Sequence, residues 1–560
     1  MPSLRGDLGR ALWENRANLD YAWRVLRRGA CDACALSSNG LADWSHPGLH
    51  RCPERLARLW LATQPALDLR ALADVGHLAA LAPDELQRLG RLPCPLLRRA
   101  GEPGFRPIDW NEALDLVAAR ARAADPERVC LRVAPQGLTN EARYLAQKVA
   151  RFLGSPHVLT CTDLGPGVAA LEACLGVAGP TLPCADWLRT DLLVRVGGRA
   201  SPPPPIVERA RAAGVTWLPL GVNVPCGDTP AAELALLRAT AAALIEKDGV
   251  ARSFVDAHTE GYEALAAELE ALDFDALVAQ SGATRAAVFD FAAALCRAQD
   301  AVFLWDLGDC DPATTQAICD LALLRGFLGR PGSGLAPLSA PGAWACVDLG
   351  CAPDRLPGGP LTAERAATLG ARYGFPVPAS PGHTPAGLLA AASAGRVDVL
   401  YRVGAGAGAP TADEAAALSQ VGLHVFQGLP LDRAALTAPQ DAVLLLPART
   451  RHEAGGCDTT AERRLQRCPR VAGRALPGAR SDWQILRDVA QRACPERAQQ
   501  LDVPHAQAIR EELAEVVPGY AGLERLRHPE VLWVGGERLC EGGVCPTPSG
   551  RARLGSAPPS

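Results

Sequence analysis

The chain has 560 residues, of which 48% are hydrophobic and 21% charged, with a formal net charge of -4. That length supports several domains around a large buried core, and the balanced charge excludes a dedicated nucleic-acid or anionic-membrane binder. No run reaches the roughly 18 apolar residues of a membrane helix. Arg27-Arg28 is followed by Gly29-Ala30-Cys31 and not by an apolar segment, so a secretion signal is not expected and the cytoplasm is the expected compartment. The 19 cysteines are odd in number and scattered, which favours reduced, buried thiols over a disulfide framework.

In chain order, residues 29–53 read as loop and Arg55 to about Leu97 as helical pieces, with Leu56, Leu59, Trp60 and Leu67 at helical spacing. Asp109 is the expected N-cap of a helix to about Ala124, with Glu112 completing a capping box. Strands are expected at Arg128–Val133, Asp191–Val196, Val215–Leu220, Ala301–Leu304, Val397–Tyr401, His424–Phe426 and Ala442–Leu446, and helices at Thr139–Leu153 and Val207–Ala213. Strands that lead through glycine turns into helices mark an α/β architecture with parallel sheets. Gly197, Gly221, Gly308, Gly404 and Gly428 follow strands. Ligands of such sheets bind at the carboxyl ends of strands, so the repetition points to a large nucleotide-like ligand. Asp306, Asp309 and Asp311 read as a solvated turn, His424 as a satisfied core histidine, and Trp344 as packing or as the lining of a substrate funnel. Pro202–Pro205 reads as a rigid loop. The stretch Pro546–Ser560 is rich in Pro, Ser, Gly and Arg and is expected to be mobile.

Cys31-x2-Cys34 with Cys52 has the spacing of a metal site. No cysteine follows closely in Ala35–Ser38. Ser38, His46, His50 and Asp32 are the candidates for a fourth ligand of an iron–sulfur cluster. A zinc site of three cysteines with His46 or His50 fits the spacing equally well.

Several stretches, taken together and in order, resemble the molybdopterin oxidoreductase superfamily. They are the cysteine cluster, Arg106–Leu114, Thr139–Lys148, Gly165–Leu171 with Gly176–Gly179, Asp320–Gly334, His452–Gln466, Ser481–Leu486 and Thr547–Arg553. The resemblance is closest to the formate-dehydrogenase-like branch. It implies a multi-domain α/β fold with two pseudo-symmetric α/β domains and a small N-terminal iron–sulfur domain. The expected divisions are an iron–sulfur-like domain over 1–104, a first α/β domain over 105–160 and 340–475, a second over 161–339, and a C-terminal segment with a mobile tail over 476–560.

The implied cofactors are a molybdenum or tungsten bis-molybdopterin guanine dinucleotide and an iron–sulfur cluster held by Cys31, Cys34 and Cys52. Gly197, Gly198, Arg199, Asn223, Gly404, Gly406 and Gly428 would lie against the dinucleotides, and the loop from Glu453 to Gln466 near the pterins. The implied activity passes electrons between a small substrate and an electron carrier or redox partner subunit. Four positions depart from the family pattern. Asp163 stands where the family has its cysteine or selenocysteine metal ligand, and Leu164 where it has a histidine. About Ser339 stands in place of the substrate-binding arginine. The family's C-terminal barrel has no counterpart before Ser560, and is expected to be absent or supplied by a separate polypeptide. These departures also admit a second reading, a catalytically impaired relative that acts as a partner subunit or scaffold.

Overall fold

The computed structural model describes residues 9, 12–13, 15–32, 40, 55–56, 59–60, 63–160, 164–198, 203–308, 310–404 and 409–555. They fall in two compact units: Met1–Asp163, Ala340–Thr460 and Arg464–Leu532 make the first, and Leu164–Ser339, Ala461–Arg463 and Trp533–Ser560 the second.

Unit 1 carries strands β1 (Leu96–Arg99), β2 (Arg106–Pro107), β3 (Val129–Val133) and β4 (His157–Leu159), and later β10 (Val399–Val403), β11 (Leu423–Gly428), β12 (Ala442–Pro447), β13 (Gly456–Thr459) and β14 (Arg464–Cys468). The strands between β4 and β10 that matter here belong to unit 2: β5 (Leu192–Val196), β6 (Thr216–Pro219), β7 (Thr259–Glu260), β8 (Ala301–Asp306) and β9 (Gly334–Leu338), with β15 (Ala552–Arg553).

The main sheet of unit 1 has the order β2-β1-β12-β11-β10-β3-β4. From β4 to β12 it is parallel, and β1 closes it antiparallel to β12. Strands β11 and β12 are buried at every position, as expected where helices cover both faces of a parallel sheet. The sheet of unit 2 is wholly parallel, in the order β6-β5-β8-β9. Both sheets follow one path. The first strand lies inside, the second beside it at the edge, and the third on its other side. The order therefore reverses between β3 and β10 in unit 1, and between β5 and β8 in unit 2. A crevice opens beyond the carboxyl ends of strands at such a point.

Local chemistry sets the helix starts that frame these crevices. Asp109 caps Trp110–Ala123 by accepting the N–H groups of Asn111 and Glu112. Thr139 caps Asn140–Phe152 through Ala142 N–H. Pro205 opens Pro205–Ala212 at the first helical position, where its missing N–H costs nothing. No helix among the described residues is long and apolar enough to cross a membrane.

Four expectations are corrected. Leu96–Arg99 is a strand, and 69–88 holds two short 3-10 turns before the helix Pro83–Arg88; leucines there repeat closely enough to fit either period. Glu112 does not turn back to complete a capping box, because its carboxylate meets Arg106 at 3.2 Å. His424 is buried, yet its Nε2 has no hydrogen-bond partner. The expected mobile tail is packed as far as Gly555: Ala552–Arg553 pairs with Thr259–Glu260, and Ala552 and Leu554 are buried. Overall composition hid that alternation of apolar residues.

Candidate cofactor site

In unit 2 the central strand β5 ends in Arg195-Val196 and then Gly197-Gly198, with φ of 66° and 64°. Arg195 reaches the neighbouring third strand, meeting Asp306 at 3.0 Å, and donates to the Gly198 carbonyl at 2.6 Å. A Cβ at Gly198 would lie 1.8 Å from the Asp306 carboxylate, so only glycine lets the strand end pass there. Asp306 is thus an ion-pair partner, not a solvated turn residue, and Asp311 caps the helix Pro312–Leu324. Asn223 lies on the exposed turn after β6. Arg199 lies outside the described residues.

In unit 1 the third strand β10 ends at Gly404, with φ 88°, whose N–H donates to Gln427 at 2.8 Å. Gly406 lies outside the described residues. Just before the strand ends, Arg132 on β3 and Arg402 on β10 stand directly opposite each other in the parallel register. Both line a cavity of about 280 Å³, with Leu388, Leu400, Pro410 and Glu414 among its other walls. Arg402 meets Asp432 at 3.1 Å, but its Nη1 is buried without a hydrogen-bond partner. The Arg132 guanidinium has no ion pair or hydrogen bond among the described residues. Like charges side by side on neighbouring strands repel, and two facing guanidiniums are a chemistry that can accept an anion.

The surroundings register the same positive field. Burial pushes the His424 imidazolium well below the ordinary histidine range, and Arg402, Arg132 and Arg98 push it further. A depressed histidine stabilises the fold fully above its unfolded value of about 6.5, and that contribution is lost as pH falls through the lower folded value. Asp320 and Asp482 run the opposite way: burial raises both to about 6, and their contribution, present in acid, is lost as pH rises through that value. We expect the thermal midpoint of His424→Leu, relative to that of the wild type, to rise between pH 6.5 and pH 5, whatever the opposing aspartates do to both. An unchanged pH profile in that variant would show that His424 carries none of the acid sensitivity.

The loop from Glu453 to Gln466 lies beyond β12. Thr450 caps the helix Arg451–Ala454, and Glu453 caps back to Thr450 N–H at 2.9 Å. Both Glu453 oxygens are engaged by Arg91, at 2.8 and 2.7 Å, with both side chains buried. Glu453 therefore fixes this turn, with both of its oxygens held by Arg91. On β14, Gln466 is fully buried and neither end of its amide has a hydrogen-bond partner among the described residues. Opposite it, Asp458 on β13 takes Arg143 at 3.0 Å and Arg451 at 3.2 Å. Gly428, at the end of β11, accepts from Ala448 N–H.

The cysteine cluster is only partly within view. Cys34 and Cys52 lie outside the described residues, as do Asp163, Ser38, His46 and His50. Cys31 is buried, and the next residue, Asp32, meets Arg451 at 2.8 Å and accepts from Gly137 N–H at 2.9 Å. Asp32 is thereby occupied, so it is a poor fourth ligand. The Gly137 contact ties Asp32, next to Cys31, to the loop that leaves β3 at the switch point of unit 1, and the Arg451 contact ties it to the helix beyond β12. Among the described residues no group of three or more histidine, cysteine or carboxylate side chains is disposed to hold a metal ion. Leu164 is buried at the entry to helix Gly165–Leu175 and offers no titratable group. Trp344 is buried, with its Nε1 unpartnered.

Sequence reasoning missed Arg132, Arg195 and Arg402 as site residues. The signal was present: Leu192–Val196, Val129–Val133 and Val399–Val403 each carry arginine next to last in an otherwise apolar strand.

Two doubly wound sheets, each with a glycine-ended strand at its switch point, define an α/β protein of the kind that holds nucleotide-like ligands there. A family model described as Molybdopterin oxidoreductase matches residues 91–197. The chain is 27% identical over 481 residues to the F420-dependent formate dehydrogenase 2 subunit alpha of Methanococcus maripaludis, covering 79% of this chain and 68% of that one. It is 26% identical over 466 residues to formate dehydrogenase H of Escherichia coli, covering 77% and 64%. The fold matches that of acetylene hydratase from Pelobacter acetylenicus with a TM-score of 0.64, over 94% of this chain and 77% of that one, at 15% identity. The family match and these relatives support a place in the molybdopterin oxidoreductase superfamily, in its formate-dehydrogenase-like branch. That family implies a molybdenum or tungsten pterin cofactor.

Proposed function

We propose that the chain is a cytoplasmic, formate-dehydrogenase-like oxidoreductase that moves electrons between a small substrate and an electron carrier or redox partner subunit, through an iron–sulfur cluster. The observation that carries this reading is the unit 1 switch point. There Gly404, the Nη1 of Arg402, without a hydrogen-bond partner among the described residues, and the facing Arg132 offer an anion cradle, and Asp32, next to Cys31, is held to the loop that leaves β3. The residues present fit a pterin dinucleotide. Arg132 and Arg402 would pair with its phosphates, Gly404, Gly406 and Gly428 would allow close backbone approach, and the open amide of Gln466 would hydrogen-bond to it. In unit 2, Gly197, Gly198, Arg199 and Asn223 would hold the second dinucleotide, with the strand end fixed by the Arg195–Asp306 pair. Glu453 positions the loop that carries Gln466.

When bound, the molybdenum or tungsten pterin supplies the two-electron chemistry. Asp163 would be the chain's own ligand to that metal, and Cys31, Cys34 and Cys52 would hold the cluster. With Leu164 beside Asp163, the chain offers no imidazole for proton transfer at that position. With Ser339 in place of an arginine, it offers no guanidinium to a substrate carboxylate, so a substrate other than formate is favoured. The relatives named as alpha subunits support a partner subunit. Elemental analysis of protein purified without oxygen tests the reading. Molybdenum or tungsten near one per chain, with iron near three or four, is the expected result. Zinc or no metal would overturn it, and iron alone would favour the scaffold alternative.

A further inference from the structure

Unit 2 holds four cysteines in one buried nest. Cys174 lies near the end of helix Gly165–Leu175, Cys319 lies within helix Pro312–Leu324, and Cys540 and Cys545 lie in the segment that precedes β15. All four are at most 4% exposed. Their thiols touch in two pairs, Cys174 with Cys319 and Cys540 with Cys545. The chemistry that paired thiols offer is the joining of their sulfurs.

The Cys540–Cys545 pair is made by a six-residue curl. Gly543 N–H donates to the Cys540 carbonyl at 2.9 Å and Val544 N–H to Glu541 at 3.3 Å. Cys540, Gly542 and Gly543 all have left-handed φ, of 54°, 64° and 80°. Left-handed backbone is unusual for a residue with a side chain, and here it curls the chain between the two cysteines. The curl is seated on unit 2 by Gly542 N–H to the Gly329 carbonyl at 2.8 Å and Leu539 N–H to Thr181 at 2.9 Å. Its outer side faces water: Glu541 and Gly542 are exposed, and Val544, next to Cys545, is 64% exposed.

We propose that Cys540 and Cys545 form a reversible disulfide by exchange with a small-molecule disulfide of the glutathione class. One thiolate attacks a sulfur of the small disulfide, whose S–S bond breaks and releases one glutathione thiolate. The second cysteine then attacks the mixed disulfide, the internal S–S bond forms, and the second glutathione leaves. The two protons lost by the protein thiols are taken up by the two glutathione thiolates, and the small disulfide is the electron acceptor. The other contacting pairs lack this access. Cys174 and Cys319 are fully buried between helices, and Cys346 and Cys351 in unit 1, with the same spacing, are each 0% exposed in a closed turn. The neighbouring Cys545 thiol and then burial push the Cys540 thiol up, so the reduced form is protonated and exchange should quicken with rising pH. The closed bond would fasten the segment whose Arg538 meets Asp186 at 2.9 Å and whose β15 pairs with β7.

The experiment uses the full chain, reduced, then held with oxidised glutathione at pH 8, alkylated, and digested with trypsin without reductant. Cleavage after Arg538 and Arg551 gives one peptide, Leu539–Arg551, with both cysteines. The expected peptide carries no alkyl group and is lighter by two hydrogens; after dithiothreitol it carries two alkyl groups. In Cys545→Ser the same peptide should carry one glutathione. A wild-type peptide that stays doubly alkylated would overturn the proposal, and so would a link between the Cys174 and Cys319 peptides in its place. The readout is mass alone and does not depend on the cofactor reading.

Discussion

Glu453→Ala should lower the folding free energy by about 3–5 kcal/mol, the cost of breaking a buried ion pair from one side. Arg91 and Glu453 are 2% and 1% exposed and joined by two short bonds. They lie 362 residues apart in sequence, so the pair fastens the start of unit 1 to the loop beyond β12. Truncation would leave the guanidinium in a dry site without its carboxylate, and would also remove the side-chain cap on Thr450 N–H. Glu453→Gln keeps the shape and an acceptor, so its loss should be smaller. The double variant Arg91→Leu with Glu453→Leu should recover most of the stability, because it removes both charges at once. Denaturant midpoints of the four proteins make the measurement. A loss of under about 1 kcal/mol in Glu453→Ala would show that water reaches the pair.

Much of the fold was legible because its strands are short apolar runs that end in glycine. Leu192–Val196 before Gly197-Gly198 and Val399–Val403 before Gly404 announce both their ends and their neighbours' function. A cap was legible where one short side chain decides, as at Asp109. Register was not. That Arg132 faces Arg402 depends on which strands pair, and no local pattern in either strand records the other. The partner of Glu453 was hidden for the same reason: a glutamate in a polar loop gives no sign that an arginine hundreds of residues away will take both its oxygens. Composition misled at the C-terminal segment. The prolines and glycines of 546–555 suggested disorder, but Ala552 and Leu554 alternate inward on a short strand.

The arginine pair carries the second large expected effect. Replacing Arg132 or Arg402 by glutamine should reduce retained guanine nucleotide roughly ten- to hundredfold, taking about 1.5–3 kcal/mol for hydrogen bonds to a charged group. Acid release and quantitation of guanine nucleotide per chain make the measurement. The stability of cofactor-free protein should move the other way. In Arg132→Gln the repulsion between facing guanidiniums is gone, Arg402 keeps Asp432, and the thermal midpoint should rise or hold. A merely structural role for Arg132 predicts the reverse, a lower midpoint with unchanged nucleotide content. The two quantities separate these cases because an anion stabilises only the state in which both arginines are present. Its absence leaves two positive charges side by side in a cavity lined by leucine and proline.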